Sequence, residues 1–152
     1  MTQYYNASLR NLTYRLRKFK DILEEELESE VKKHADEIVS LVSEAQLYKK
    51  GITGKEIKIK SYAPYKASTI RNKKRKGQPT SRVTLRDTGA FHKSFYIVFD
   101  TGGFYITADD KKTQALVAKY GASIFRLTNQ HLSYILRELI RPGLIAKLKQ
   151  RL

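Results

Sequence analysis

"FYIVFDTGGFYITADD", Phe95 to Asp110, decides the fold class. Phe95, Ile97 and Phe99 alternate with Tyr96, Val98 and Asp100, the two-residue period of a strand with one buried face. Asp100-Thr101-Gly102-Gly103 then supplies turn chemistry, and "FYITA" returns as a second β-rich run. The stretch predicts an antiparallel hairpin in a chain otherwise dominated by helical periodicity.

Upstream, Leu9, Leu12, Leu16, Phe19, Leu23, Leu27, Val31, Ala35, Ile38, Val42 and Ala45 recur at helical steps over residues 8–47. No Gly or Pro interrupts before Gly51, which is placed to end the helix after Lys49 and Lys50. The middle, "EEELESEVKKHADE", is the most charged part. Two readings stay open: a break near Glu30 to Ala35, or one projecting helix that packs on another subunit. "EIKIKSY" alternates and predicts a short strand with Ile57 and Ile59 on one face. Pro64 and "YKASTIRNKK" suit a short helix, and "KGQPTS" a loop.

Downstream of the hairpin, Asp109 or Asp110 caps "KKTQALVAKYG", which Gly121 closes, and "IFRL" reads as an extended linker. Thr128 or Asn129 caps "QHLSYILRELI", whose Leu132, Ile135, Leu136 and Leu139 form one apolar face. Pro142-Gly143 is expected to stop that helix before an amphipathic tail, "LIAKLKQRL". The predicted class is α+β: a long N-terminal helical region over residues 1–47, then an assembly domain over 48–152 with a small antiparallel sheet, inserted short helices and C-terminal helices.

The 152 residues carry a net charge of +15, unevenly spread. Residues 1–47 hold seven Lys/Arg against nine Asp/Glu, residues 48–99 fourteen against two, and residues 100–152 nine against four. A field concentrated in the middle third points to an acidic partner: nucleic acid, an anionic protein surface or a neighbouring subunit. Apolar content of 41% argues against a disordered basic tail. No apolar run is long enough to span a membrane, and "MTQYYNASLR" lacks the apolar core of a signal peptide. With no Cys, disulfides and thiolate metal sites are excluded.

His34, His92 and His131 are isolated in sequence, so no metal site is expected. Asp109 and Asp110 read as caps rather than ligands. The P-loop pattern is absent, and Ser94 has no nucleophile elbow. No cofactor, catalytic residue or small-molecule substrate is assigned, and the chain is read as no enzyme. The strongest physical signal is the basic run. Arg71, Lys73, Lys74, Arg75 and Lys76, with Lys66, Arg82 and Arg86 nearby, are candidate contacts to phosphates or to an acidic partner. Tyr62 and Tyr65, just before it, suit base stacking.

At "GITGKEIKIKSYAPYKASTIRNKKRKGQPTSRVTLRDTGAFHKSF" the chain resembles tailed-phage virion-assembly proteins of the tail-completion or head–tail-joining kind, the HK97 gp10-like and virion-morphogenesis families. The matching residues are Tyr62, Pro64, Thr69, Lys76-Gly77, Leu85, Thr88, Gly89, Phe91 and Ser94, and "VAKYGASIFRLTNQHLSYIL" resembles the family's ending. The resemblance covers about residues 47–140. It implies a structural protein of the virion neck or tail, assembled in the host cytoplasm. Implied partners are further copies in a ring, portal, connector or tail proteins, and passing phage DNA where the basic segment faces a lumen. In that light the basic segment divides from the motif after it. Arg71 to Lys76 is expected to be a charged loop that orders on docking. Leu85, Asp87, Thr88, Gly89, Phe91 and Ser94 are expected to be fold determinants, with Asp87 or Thr88 capping a turn, Gly89 freeing the backbone, Leu85 and Phe91 anchoring it, and Ser94 ending it. The competing reading is a basic accessory protein that binds nucleic acid without reading sequence.

Overall fold

A computed structural model describes residues 2–101 and 103–151, with side chains from residue 9; Gly102, expected in the hairpin turn, lies outside the described residues. The chain is α+β and divides into two compact units, Met1–Lys33 with Leu136–Leu152, and His34–Ile135. The N-terminal helical region is thus interrupted at His34, within the expected window, and residues 34–47 belong to the body that holds the sheet. Among the described residues no helix is long and apolar enough to cross a membrane.

In the first unit, α1 (Thr2–Lys33) pairs with α7 (Arg141–Arg151). The acid-rich middle of α1 serves that pairing. Lys147 Nζ lies 3.0 Å from the buried Glu30 and 3.3 Å from Glu26, and Arg151 reaches Glu26 at 2.6 Å and Glu25 at 3.2 Å. The Arg151 hydrogen bond in particular holds the Glu26 carboxyl below its ordinary range. Pro142 and Gly143 do not stop the helix: they follow directly on the wide π-type turns of Ile135–Ile140, and α7 continues to Arg151.

In the second unit, α2 (Ala35–Ser40) runs into a π-helical segment, Leu41–Lys50. Ile38, Val42, Gln46 and Leu47 are fully buried; the four-residue steps from Ile38 through Val42 to Gln46 suit the wider π turn and keep one side of the segment facing the core. Gly51, at φ +62, ends the segment as its position predicts. The expected strand at Ile57–Ser61 does not form. Glu56 adopts a left-handed φ of +61, Ile52 and Lys58 make a single bridge, and Ile59–Ser61 is a 3-10 turn. Ile59 is therefore buried while Ile57 is exposed.

Next come α3 (Ala67–Arg75), the one-turn α4 (Ala90–Lys93), and the hairpin β1 (Phe95–Asp100) and β2 (Gly103–Ala108). The register pairs Phe95 with Ala108, Ile97 with Ile106, and Phe99 with Phe104. Phe95 stacks against Phe91 and Phe125 at centroid distances of 4.9 and 5.1 Å, joining α4, β1 and the segment before α6 (Asn129–Tyr134). Asp110 caps the turn before α5 (Thr113–Tyr120) by accepting from Lys112 N–H, and Gly121 closes that helix. "IFRL" is not extended throughout: Ala122–Phe125 forms a 3-10 turn that buries Ile124. Thr128 Oγ1 accepts from His131 N–H and caps α6. The expected four-residue apolar face after it is not buried as a set. Ile135 is buried and Leu139 half-buried, but Leu132 and Leu136 are exposed; from Ile135 onward the π turns depart from the α-helical spacing on which the expected face was drawn.

Candidate functional site

The basic run is not a mobile loop. From Ala67 to Lys76 no Gly or Pro intervenes, Thr69 and Ile70 are half-buried, and Arg71 to Arg75 lie on α3. Only the end of the run, at Lys76 and Gly77, leaves the helix, with Gly77 at φ +67.

The eight candidate cations separate into two groups. Lys73 is buried; its ammonium donates to Arg86 O at 2.6 Å and Gln78 Oε1 at 3.0 Å, and lies 5.1 Å from the Tyr65 ring centroid. Lys76 pairs with Asp87 at 2.6 Å, and that hydrogen bond is the main reason the Asp87 carboxyl sits below its ordinary range. Arg82 donates to Tyr48 O at 2.6 Å. Arg86 pairs with Glu44 at 3.1 Å and stacks its guanidinium 4.5 Å from the Tyr48 centroid. These four have partners within the protein, Lys73 from a buried position and Lys76 at the surface. Lys66, Arg71, Lys74 and Arg75 are exposed on α3 and at its start, and form the outward-facing group.

The motif residues lie beside Lys73. Leu85 is buried with a left-handed φ of +51, and Gly89 starts α4 at φ +90, a conformation that a side chain with Cβ resists. Thr88, rather than Asp87, makes the local cap, accepting from Ala90 N–H at 3.3 Å; Asp87 is taken up by Lys76. Phe91 is buried in the aromatic cluster. Ser94 ends the turn, donating through Oγ to Phe91 O at 2.8 Å.

Between α3 and this motif lies a cleft of about 310 Å³. Lys73, Lys76, Lys112, Asp87 and Asp110 supply its charges, and Leu85, Leu116 and Tyr120 an apolar wall. Tyr62 and Tyr65, expected to stack on bases, are tied into the body instead. Tyr62 Oη donates to Tyr120 O at 2.8 Å, and Tyr65 Oη accepts from Thr84 N–H at 2.9 Å. No group of three or more metal-ligating side chains occurs among the described residues.

Two buried polar residues have no signal in a linear reading. Gln46 joins three segments: Nε2 donates to Arg126 O, and Oε1 accepts from Thr128 N–H and lies 2.8 Å from His131 Nδ1. His92 meets Thr84 O through Nε2 at 2.9 Å, and its Nδ1 has no protein partner. Burial pushes His92 down to about 4. Compared with known proteins, the chain matches no family model, no curated protein and no solved structure.

Proposed function

We propose that the protein is a structural component of a tailed-phage particle, joining head to tail or completing the tail as a homo-oligomer among portal, connector or tail proteins. Its place is then the virion, reached by assembly in the host cytoplasm. The reading starts from the resemblance carried by Tyr62, Pro64, Leu85, Thr88, Gly89, Phe91 and Ser94. The observation that carries it further is the outer face of the hairpin. Tyr96 and Tyr105 are 45% and 52% exposed, and the register sets them on one side of a two-stranded sheet with Val98 between them in the ladder. Two large aromatic side chains held rigidly at a surface form a contact face for a neighbouring subunit. The motif then acts as scaffold, presenting that face and the cations of α3.

Mass spectrometry of purified particles tests this reading. The chain is expected in multiple copies per particle, and its deletion is expected to leave separate heads and tails. Complete particles formed without it overturn the reading.

The exposed Lys66, Arg71, Lys74 and Arg75 favour a second reading, sequence-independent contact with nucleic acid. Duplex binding whose log–log salt slope falls by about 0.9 for each of the four replaced by Ala supports it. An unchanged slope rules it out.

A further inference from the structure

The N-terminal half of α1 leaves a leucine stripe uncovered: Leu9, Leu12 and Leu16 are 60%, 51% and 59% exposed. The stripe continues through Leu23 and Leu27, which are half-buried. Along the same helix the charge is divided sharply. Leu9 to Lys20 hold five Lys/Arg and no acid, whereas Asp21 to Glu30 hold six acids and no Lys/Arg; α7 takes up Glu25, Glu26 and Glu30, and Asp21, Glu24 and Glu28 remain exposed. A second α1 laid antiparallel sets each basic half against an acidic half, twice, by one two-fold axis.

Register is the stringent condition, because apolar and charged matches must agree. Setting Leu16 opposite Leu23 of a second copy also sets Leu12 opposite Leu27. In that register Arg17 lies two residues along the axis from Glu24 of the second copy, and Arg10 one residue from Glu28, about 3 Å and 1.5 Å, within the reach of an arginine side chain. Arg10, Arg17, Glu24 and Glu28 are spaced by seven, seven and four residues, so they run down one edge of the leucine stripe. In an antiparallel pair like edges meet, as these contacts require. Lys20, near the axis, lies 3.6 Å from Glu24 of its own helix. A parallel pair instead places basic on basic and acidic on acidic along the whole helix.

We propose that α1 is the self-association surface of the protein, pairing two copies antiparallel through Leu12, Leu16, Leu23 and Leu27 with Arg17–Glu24 bridges at the edge. The proposal deepens the assembly reading and rests on it for its meaning in a particle. The pairing itself is measured on the purified chain, so particle composition and self-association fail separately.

Light scattering and sedimentation equilibrium of the full chain test it. Dimers are expected at low salt, with weaker association as salt rises. Arg17→Glu is expected to weaken association at least tenfold, and adding Glu24→Arg is expected to restore it. Within one helix these two side chains are seven residues, about 10 Å, apart, so restoration has to act between chains. Unchanged circular dichroism in both variants separates loss of pairing from loss of fold. A chain monomeric at every concentration, association indifferent to Arg17→Glu, or failure of the double variant to restore it each overturns the proposal.

Discussion

Lys73 Nζ donates to the carbonyl oxygen of Arg86 at 2.6 Å, from inside the protein. That carbonyl follows Leu85, whose left-handed backbone is unusual for a branched apolar residue. Tyr65 Oη holds the residue before, bonding Thr84 N–H and lying 3.2 Å from Thr84 Oγ1. The strained segment is therefore clamped from both sides by residues of α3 and its approach. Replacing Lys73 by Met keeps most of the stem and deletes the ammonium. Arg86 O and Gln78 Oε1 then lose their donor, at about 1–3 kcal/mol for a buried group left unsatisfied. Urea denaturation should show that loss. Under the nucleic-acid reading, Lys73→Met should leave the salt slope of DNA binding unchanged, because this ammonium is buried and already bonded to Arg86 O and Gln78 Oε1.

What the sequence reveals and what it conceals divide along physical lines. The hairpin, the glycine caps at Gly51 and Gly121, and the Thr128 cap are set by near neighbours, and their residue types announce them. Lys73 is concealed because a lysine in a basic run reads as solvent-facing; only the fold reveals two oxygens waiting for it. Ile57 and Ile59 alternate like a strand, but the left-handed backbone at Glu56 and the turn after it break the period. The acids of α1 look like a solvated face until α7, more than a hundred residues later, supplies Lys147 and Arg151. Local chemistry is legible, and pairings between distant segments are not.

Acid should destabilise the protein through His92. Its folded value, about 4, lies below the ordinary 6.5, so the unfolded chain takes up the proton first. The stabilising contribution of the neutral ring is complete above about pH 6.5 and is lost as pH falls toward 4. A displacement of this size corresponds to about 3 kcal/mol. The neutral tautomer is set by Thr84 O, which calls for an Nε2–H donor. His92→Gln can keep a donor there without titrating. Denaturation midpoints measured from pH 7.5 to 4 should fall more steeply for the natural chain than for His92→Gln. Parallel profiles would refute this assignment.

Gln46 is fully buried and joins the middle of the π-helical segment to the Arg126–His131 stretch. Leucine has nearly its shape and none of its hydrogen bonds. Gln46→Leu orphans Arg126 O and Thr128 N–H together, and the expected loss is about 3 kcal/mol. The same change removes the oxygen facing His131 Nδ1. The His131 titration, now held low chiefly by burial, should shift when followed by NMR. An unshifted His131 signal with full stability would mean the three-way bond does not form in solution.

Gly54 is required by space, not by its backbone angles. A Cβ built there would lie 2.1 Å from Arg126 O and 2.4 Å from Arg126 C, both backbone atoms with no rotamer to yield. The same residue donates its N–H to Ser123 O at 2.9 Å, so it cannot retreat without breaking that bond. Gly54→Ala therefore separates the Thr53–Ile57 turn from the Ser123–Arg126 segment, and overpacking of this kind costs about 1–3 kcal/mol. Gly77 provides the control. It has the positive φ of +67 but no heavy atom within 4 Å of a built Cβ, so Gly77→Ala meets only backbone strain of about 1 kcal/mol. Thermal unfolding of the two variants should rank Gly54→Ala clearly below Gly77→Ala. The reverse ranking would show that backbone angle, rather than the close approach to Arg126, governs glycine in this fold.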